Sequence, residues 1–111
     1  MKKVLRKASS SELDIYERQA VLFKAFANPT RIQLLDVLGR GEVGAAALQQ
    51  RLGISKANLS QHLSILRTAG VINTRRDGKR IVCELASPEI KQACNQFRSI
   101  LKGQSRNQRS S

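Results

Sequence analysis

At 111 residues with 20 Lys and Arg against 8 Asp and Glu, the chain suffices for one domain, and its net charge of +12 points to a polyanionic partner. No uninterrupted apolar run approaches the ~18 residues of a membrane span, and the start from Met1 to Lys7 lacks the apolar centre of a secretory signal. That excludes a membrane partner and favours a cytoplasmic setting, where Cys83 and Cys94 are not expected to form a structural disulfide.

Aromatic residues are few (Tyr16, Phe23, Phe26 and Phe97), so Leu, Ile, Val and Ala must build the core, which suits packed helices. A chain of this length buries only about two-thirds of its unfolded surface, and a core shared by two copies would supplement it. The charge is uneven. Glu12, Asp14, Glu17, Asp36 and Glu42 precede Arg51, whereas both termini and the central segment are basic.

Residues 1–8 are basic and aperiodic and are expected to be a flexible N-terminus, followed by one domain over 9–103. Ser9 and Glu12 have capping-box spacing and open a helix α1 reaching about Phe26, with Leu13, Tyr16, Ala20 and Phe23 at helical intervals. Asn28 followed by Pro29 is an N-cap with proline at the first helical position. It starts α2, which carries Ile32, Leu34, Leu35 and Leu38 and stops at Gly39 or Gly41. Around Gly41 to Val43 there is room for one short strand, β1, before α3 runs from Ala45 to Leu52 and ends at Gly53.

After the three-residue turn Gly53 to Ser55, Ser55 caps α4, which buries Leu59, His62 or Leu63, and Leu66, and is closed by Gly70. Two β-favouring runs, β2 over 71–76 and β3 over 79–85, flank Asp77-Gly78, the pair expected to form a two-residue hairpin turn. Ser87, Pro88 and Glu89 open α5, whose Ile90, Ala93, Cys94, Phe97, Ile100 and Leu101 follow the i, i+3, i+4, i+7 rule. Gly103 is expected to end α5, leaving 104–111 as a flexible polar tail.

The fold class is therefore α+β and mainly helical, a winged helix-turn-helix in the order α1-α2-(β1)-α3-α4-β2-β3-α5. In that fold the exposed residues Lys56, Asn58, Ser60 and Gln61 of α4 are candidates for base contacts. Asn and Gln can pair in two places with adenine, and Lys favours guanine. Arg75, Arg76, Lys79 and Arg80 surround the hairpin turn. Four cations exceed what an edge strand needs to stay unpaired, so they are candidates for phosphate or minor-groove contact. Thr30, Arg31, Ser55 and His62 complete the candidate backbone set, because free N–H groups at a helix start attract phosphate.

Other readings stand beside these. The polar side of α4, taken alone, is an ordinary solvated face, and a metal or pH role for His62, the chain's only histidine, is the lesser reading of that residue. Cys94 falls on the apolar stripe of α5 and reads as a small core residue. Cys83 shares a strand with Lys79 and Arg80, whose charge would favour its thiolate, so one or both cysteines are candidates for a redox switch against the plain reading that they pack. No pair of carboxylates, Ser/His/Asp set or phosphate-cradling glycine loop is present, so no catalytic residue, enzyme activity or cofactor is expected.

The segments LFKAFANPTRIQLL (22–35), ISKANLSQHLSILRTAGVI (54–72) and RRDGKR (75–80), in that order, resemble the ArsR/SmtB family of bacterial winged-helix repressors. The resemblance covers about residues 20–102. It implies a homodimer built on α1 and α5, with Tyr16, Phe23, Phe97 and Ile100 at the interface, that binds an inverted-repeat operator in double-stranded DNA and leaves it when an inducer arrives. Many metal-sensing relatives carry a Cys-x-Cys pair in the segment matching Glu42 to Leu48. Here those positions are Gly44 and Ala46, so no metal site of that kind is expected, and a non-metal or thiol-redox signal becomes the candidate trigger. The alternative within DNA binding is an architectural protein with little sequence preference. A winged helix used for RNA or protein contacts is a further one.

Overall fold

The structure, a computed structural model, describes residues 9–110, with side chains through Gln104. The expected flexible segment 1–8 lies outside the described residues. Five helices and three strands follow the expected order: α1 Ser10–Phe26, α2 Pro29–Leu38, β1 Val43–Gly44, α3 Ala45–Leu52, α4 Lys56–Thr68, β2 Ile72–Asp77, β3 Arg80–Leu85 and α5 Pro88–Ser110.

Local chemistry sets the helix starts. Ser9 Oγ accepts the Glu12 N–H at 3.3 Å, Asn28 Oδ1 accepts the Arg31 N–H at 3.1 Å, and Ser55 Oγ accepts the Asn58 N–H at 3.0 Å. Each satisfies a helix N–H that would otherwise lack a partner, worth about 1 kcal/mol. Gly53 ends α3 in the left-handed conformation at φ 64°, which turns the chain in three residues from α3 into α4. Gly70 (φ 76°) does the same just beyond α4, where the Val71 N–H reaches back to the Leu66 carbonyl.

The strands form one antiparallel sheet in the order β1-β3-β2. Side chains alternate across it. Val43, Ile72, Thr74 and Cys83 therefore share the face toward the helices, while Gly44, Arg75, Val82 and Arg80 share the other. The core joins Leu34, Leu35 and Leu38 of α2, Leu48 of α3, Leu59, Leu63 and Leu66 of α4, Val71 just before β2, and Ile72 and Cys83 of the sheet. A fully buried leucine contributes roughly 1.5–3 kcal/mol by leaving water, so this cluster fixes the position of α4.

The structure departs from two local expectations. Asp77 pairs with Arg80, so the turn residues are Gly78 and Lys79, one step later than Asp77-Gly78. Gly78 has φ 65° and, among the described residues, no non-glycine residue has a positive φ, so the glycine takes the first central position, as in a type II′ turn. A turn at Asp77-Gly78 of the expected kind would have needed a positive φ at Asp77 as well. In addition, Gly103 does not end α5, which continues to Ser110. A glycine inside a helix costs about 1 kcal/mol relative to alanine, and the Gln, Arg and Ser residues that follow are compatible with helix, so one glycine does not force a stop.

The first and last helices are left largely uncovered. Leu13, Ile15, Tyr16, Val21 and Phe23 of α1 and Phe97, Ile100 and Leu101 of α5 are each about half exposed. Phe23 and Phe97 meet edge to face with ring centres 6.4 Å apart, which joins the two helices within the chain without sealing either.

Candidate nucleic-acid interface

Helix α4 presents two different sides. Leu59, Leu63 and Leu66, at four- and three-residue intervals, are turned into the core, and Lys56, Asn58, Ser60 and Gln61 are exposed at its N-terminal end. The four expected base-reading residues thus lie along one solvent-facing region of a buried-backed helix. At the other end of α4, Arg67 Nη1 donates to Thr74 Oγ1 at 3.4 Å and ties the helix to β2.

Beside this helix lies a cleft of about 680 Å³ floored by Gly44, Ala45, Ala46 and Ala47. Lys56, Arg76, Lys79 and Arg80 line it, so the first turn of α4 and the hairpin put four cations around one groove. Small side chains in α3 leave the groove open, and the cations make it attractive to phosphate. Arg80 lies across the sheet over Gly44, where an added Cβ would stand 3.0 Å from its guanidinium.

Two of the expected backbone cations are otherwise engaged. Arg75, on the opposite side of β2 from Arg76, donates to both carboxylate oxygens of Glu42 at 2.9 and 2.8 Å. Arg31 does not reach outward as a free clamp. Its Nε donates to the Ala25 carbonyl at 2.7 Å, its Nη2 to the Lys24 carbonyl at 3.2 Å, and its Nη1 lies 3.2 Å from His62 Nδ1. The guanidinium therefore satisfies carbonyls at the end of α1 and links them to α4, a role that sequence spacing did not disclose because the partners lie up to 31 positions away. Burial and, secondarily, the Arg31 charge push His62 below the ordinary imidazole value of 6.5, so its ring is neutral at pH 7.

The thiolate argument for Cys83 fails. Its side chain is fully buried, and burial raises its pKa more than the nearest effective cation, Arg67, lowers it. Lys79 and Arg80 are not among the groups that shift it. Cys94 is likewise raised by burial, with Arg98 opposing and Asp36 adding to the shift. It lines an apolar hollow of about 450 Å³ with Phe23, Phe26, Ile32, Phe97 and Leu101. Both thiols are free and protonated at neutral pH.

Residues 26–75 match the family model of a helix-turn-helix domain. Over 88 residues the chain is 36% identical to Rv0081 of Mycobacterium tuberculosis strain H37Rv, an uncharacterized HTH-type transcriptional regulator, covering 78% of this chain and 77% of that protein. The crystal structure of Rv0081 superposes with a TM-score of 0.77 at 33% identity, over 87% of this chain and 97% of that one. The transcriptional activator HlyU of Vibrio cholerae is 40% identical over 74 residues, 67% of this chain and 68% of HlyU. The solution structure of Mb0332 from Mycobacterium bovis is described as a homodimeric winged helix-turn-helix DNA-binding domain of a possible ArsR-family regulator. It shares the fold at a TM-score of 0.79 and 24% identity, over 88% of this chain and 91% of that one.

This chain belongs to the ArsR/SmtB family of winged helix-turn-helix transcriptional regulators.

As a family member it departs at the segment where metal-sensing relatives carry paired cysteines. Gly44 is buried under the Arg80 guanidinium and offers no ligand, and Ala46 faces the cationic groove. Neither residue fits a metal, which binds through N, S or O donors. Among the described residues no three of His, Cys, Asp and Glu gather in a way that could hold a metal ion. No described helix is long and apolar enough to cross a membrane.

Proposed function

We propose that the chain works in the cytoplasm, without catalysis, as a homodimeric repressor that recognises an inverted-repeat operator. The observation that carries this reading is the adjacency of the exposed Lys56, Asn58, Ser60 and Gln61 to the groove bearing Arg76, Lys79 and Arg80. Helix α4 enters the major groove and its polar side chains read base edges, while the hairpin cations take the neighbouring phosphates. Thr30, Ser55 and His62 lie at the start of α2 and along α4 and contact the backbone.

A second copy covers the half-exposed apolar residues of α1 and α5, Tyr16, Phe23, Phe97 and Ile100 among them. A two-fold axis there puts the two recognition helices about 34 Å apart, one turn of the duplex. An inducer that changes the angle or separation of the helices lowers operator affinity by favouring the mismatched arrangement. With both thiols buried or half-buried and protonated, Cys83 and Cys94 pack, and a thiol-redox trigger is the weaker reading.

Selection of bound fragments from random duplex DNA tests the proposal. The expected product is an enriched inverted repeat with half-sites about 10 base pairs apart centre to centre. Recovery of unenriched sequence would favour the architectural alternative, in which charge alone drives binding.

A further inference from the structure

The histidine of the recognition helix has one ring nitrogen already occupied. Arg31 Nη1 lies 3.2 Å from His62 Nδ1, and a guanidinium can only donate, so Nδ1 must accept. An accepting Nδ1 carries no proton, and the neutral ring then keeps its proton on Nε2. Arg31 is itself held from behind by the carbonyls of Ala25 and Lys24, at 2.7 and 3.2 Å, so it is not free to swing away from the ring. Nε2 has no hydrogen-bond partner among the described residues. It is not sealed in either, for no buried side-chain nitrogen or oxygen there lacks a partner. Its N–H therefore opens to solvent.

We infer that Arg31 is a positioning residue that fixes His62 as a neutral Nε2–H donor to a phosphate oxygen of bound DNA. The inference rests on reading α4 as the DNA-contacting helix. A single donor with no acceptor beside it suits a phosphate oxygen better than the two-point pattern of a base edge. Arg31 also belongs to the first turn of α2, so the positive end of that helix lies close to the same position. Because the ring is uncharged, this contact releases no counterion. It adds affinity without adding to the salt dependence, unlike a contact from Arg76.

The test pairs a spectroscopic readout on the free protein with two substitutions measured on duplex DNA. Nitrogen-15 correlation spectra of the wild type at pH 7.5 should show one neutral tautomer at His62, with Nδ1 unprotonated and Nε2 protonated. His62→Gln places an amide nitrogen where Nε2 stood, whereas His62→Asn places it toward Arg31. Glutamine should keep duplex affinity within about threefold, and asparagine should lose about tenfold or more, with the salt slope of both variants equal to that of the wild type. A proton on Nδ1, a mixture of tautomers, equal affinities for the two variants, or a salt slope reduced by about one would overturn the inference. A wild type that binds no duplex at all would instead sink the reading of α4, and the tautomer spectrum would still report on Arg31.

Discussion

The half of the molecule formed by α2, α3, α4 and the sheet is complete within one chain, whereas α1 and α5 are not. In the first, apolar side chains such as Leu34, Leu48 and Leu66 are fully buried, and Ile32, Ile65 and Ile81 are the large apolar residues left partly exposed. In the second, large apolar residues stay half exposed and meet mainly at the Phe23–Phe97 edge contact. The difference teaches where each job lies. Sequence reading needs a helix held rigidly by its own chain, and pairing needs a surface that its own chain leaves open.

The sharpest way to break this comparison is to disturb each half separately. Leu66→Ala removes a fully buried side chain and should destabilise the fold by about 2–5 kcal/mol in denaturant titration, at every protein concentration. Ile100→Asp should instead weaken association by about 2 kcal/mol or more, seen as a monomer in sedimentation with helical content retained. Its unfolding midpoint should also lose the concentration dependence expected of the wild type. If Ile100→Asp stays dimeric, the open face has another use.

Smaller effects sharpen the first half. Ser55→Ala deletes the cap of α4 and should cost about 1 kcal/mol of stability, with the loss visible as fraying of the first helical turn in hydrogen exchange. The pH dependence should be weakest of all. Cys83 and Cys94 hold their protons longer in the fold than their ordinary value of 9.0 allows, so their contribution is fully present below pH 9 and is lost as pH rises through the raised values. His62 is shifted the other way. Its contribution is present above pH 6.5 and is lost as pH falls through the lowered value. Denaturation midpoints across pH should show both limbs, with Cys83→Val losing part of the alkaline one.

Much of this architecture is legible in the chain because its signals are local. Ser9, Asn28 and Ser55 cap helices through bonds spanning three residues, and Gly53 and Gly70 supply left-handed turns where the helical pattern ends. What stayed hidden is long-range or finely balanced. Arg75 looks like a DNA cation until the fold brings Glu42, 33 positions away, against it. Arg31 looks like a phosphate clamp until the carbonyls of Lys24 and Ala25 and the ring of His62 surround it. The hairpin register turns on whether Gly78 takes the first or second central position, and Gly103 sits in α5 because a single glycine costs too little to stop it. The charge near Cys83 misled for a related reason, since burial outweighs the one cation that acts on it, Arg67 of α4.

The most direct test of the central claim compares Gln61→Ala with Arg76→Ala on the selected operator and on random duplex. If α4 reads bases, Gln61→Ala should lose about 1–3 kcal/mol on the operator and much less on random DNA, while Arg76→Ala weakens both and lowers the salt slope by about one. Equal losses on the two duplexes for Gln61→Ala would contradict the account.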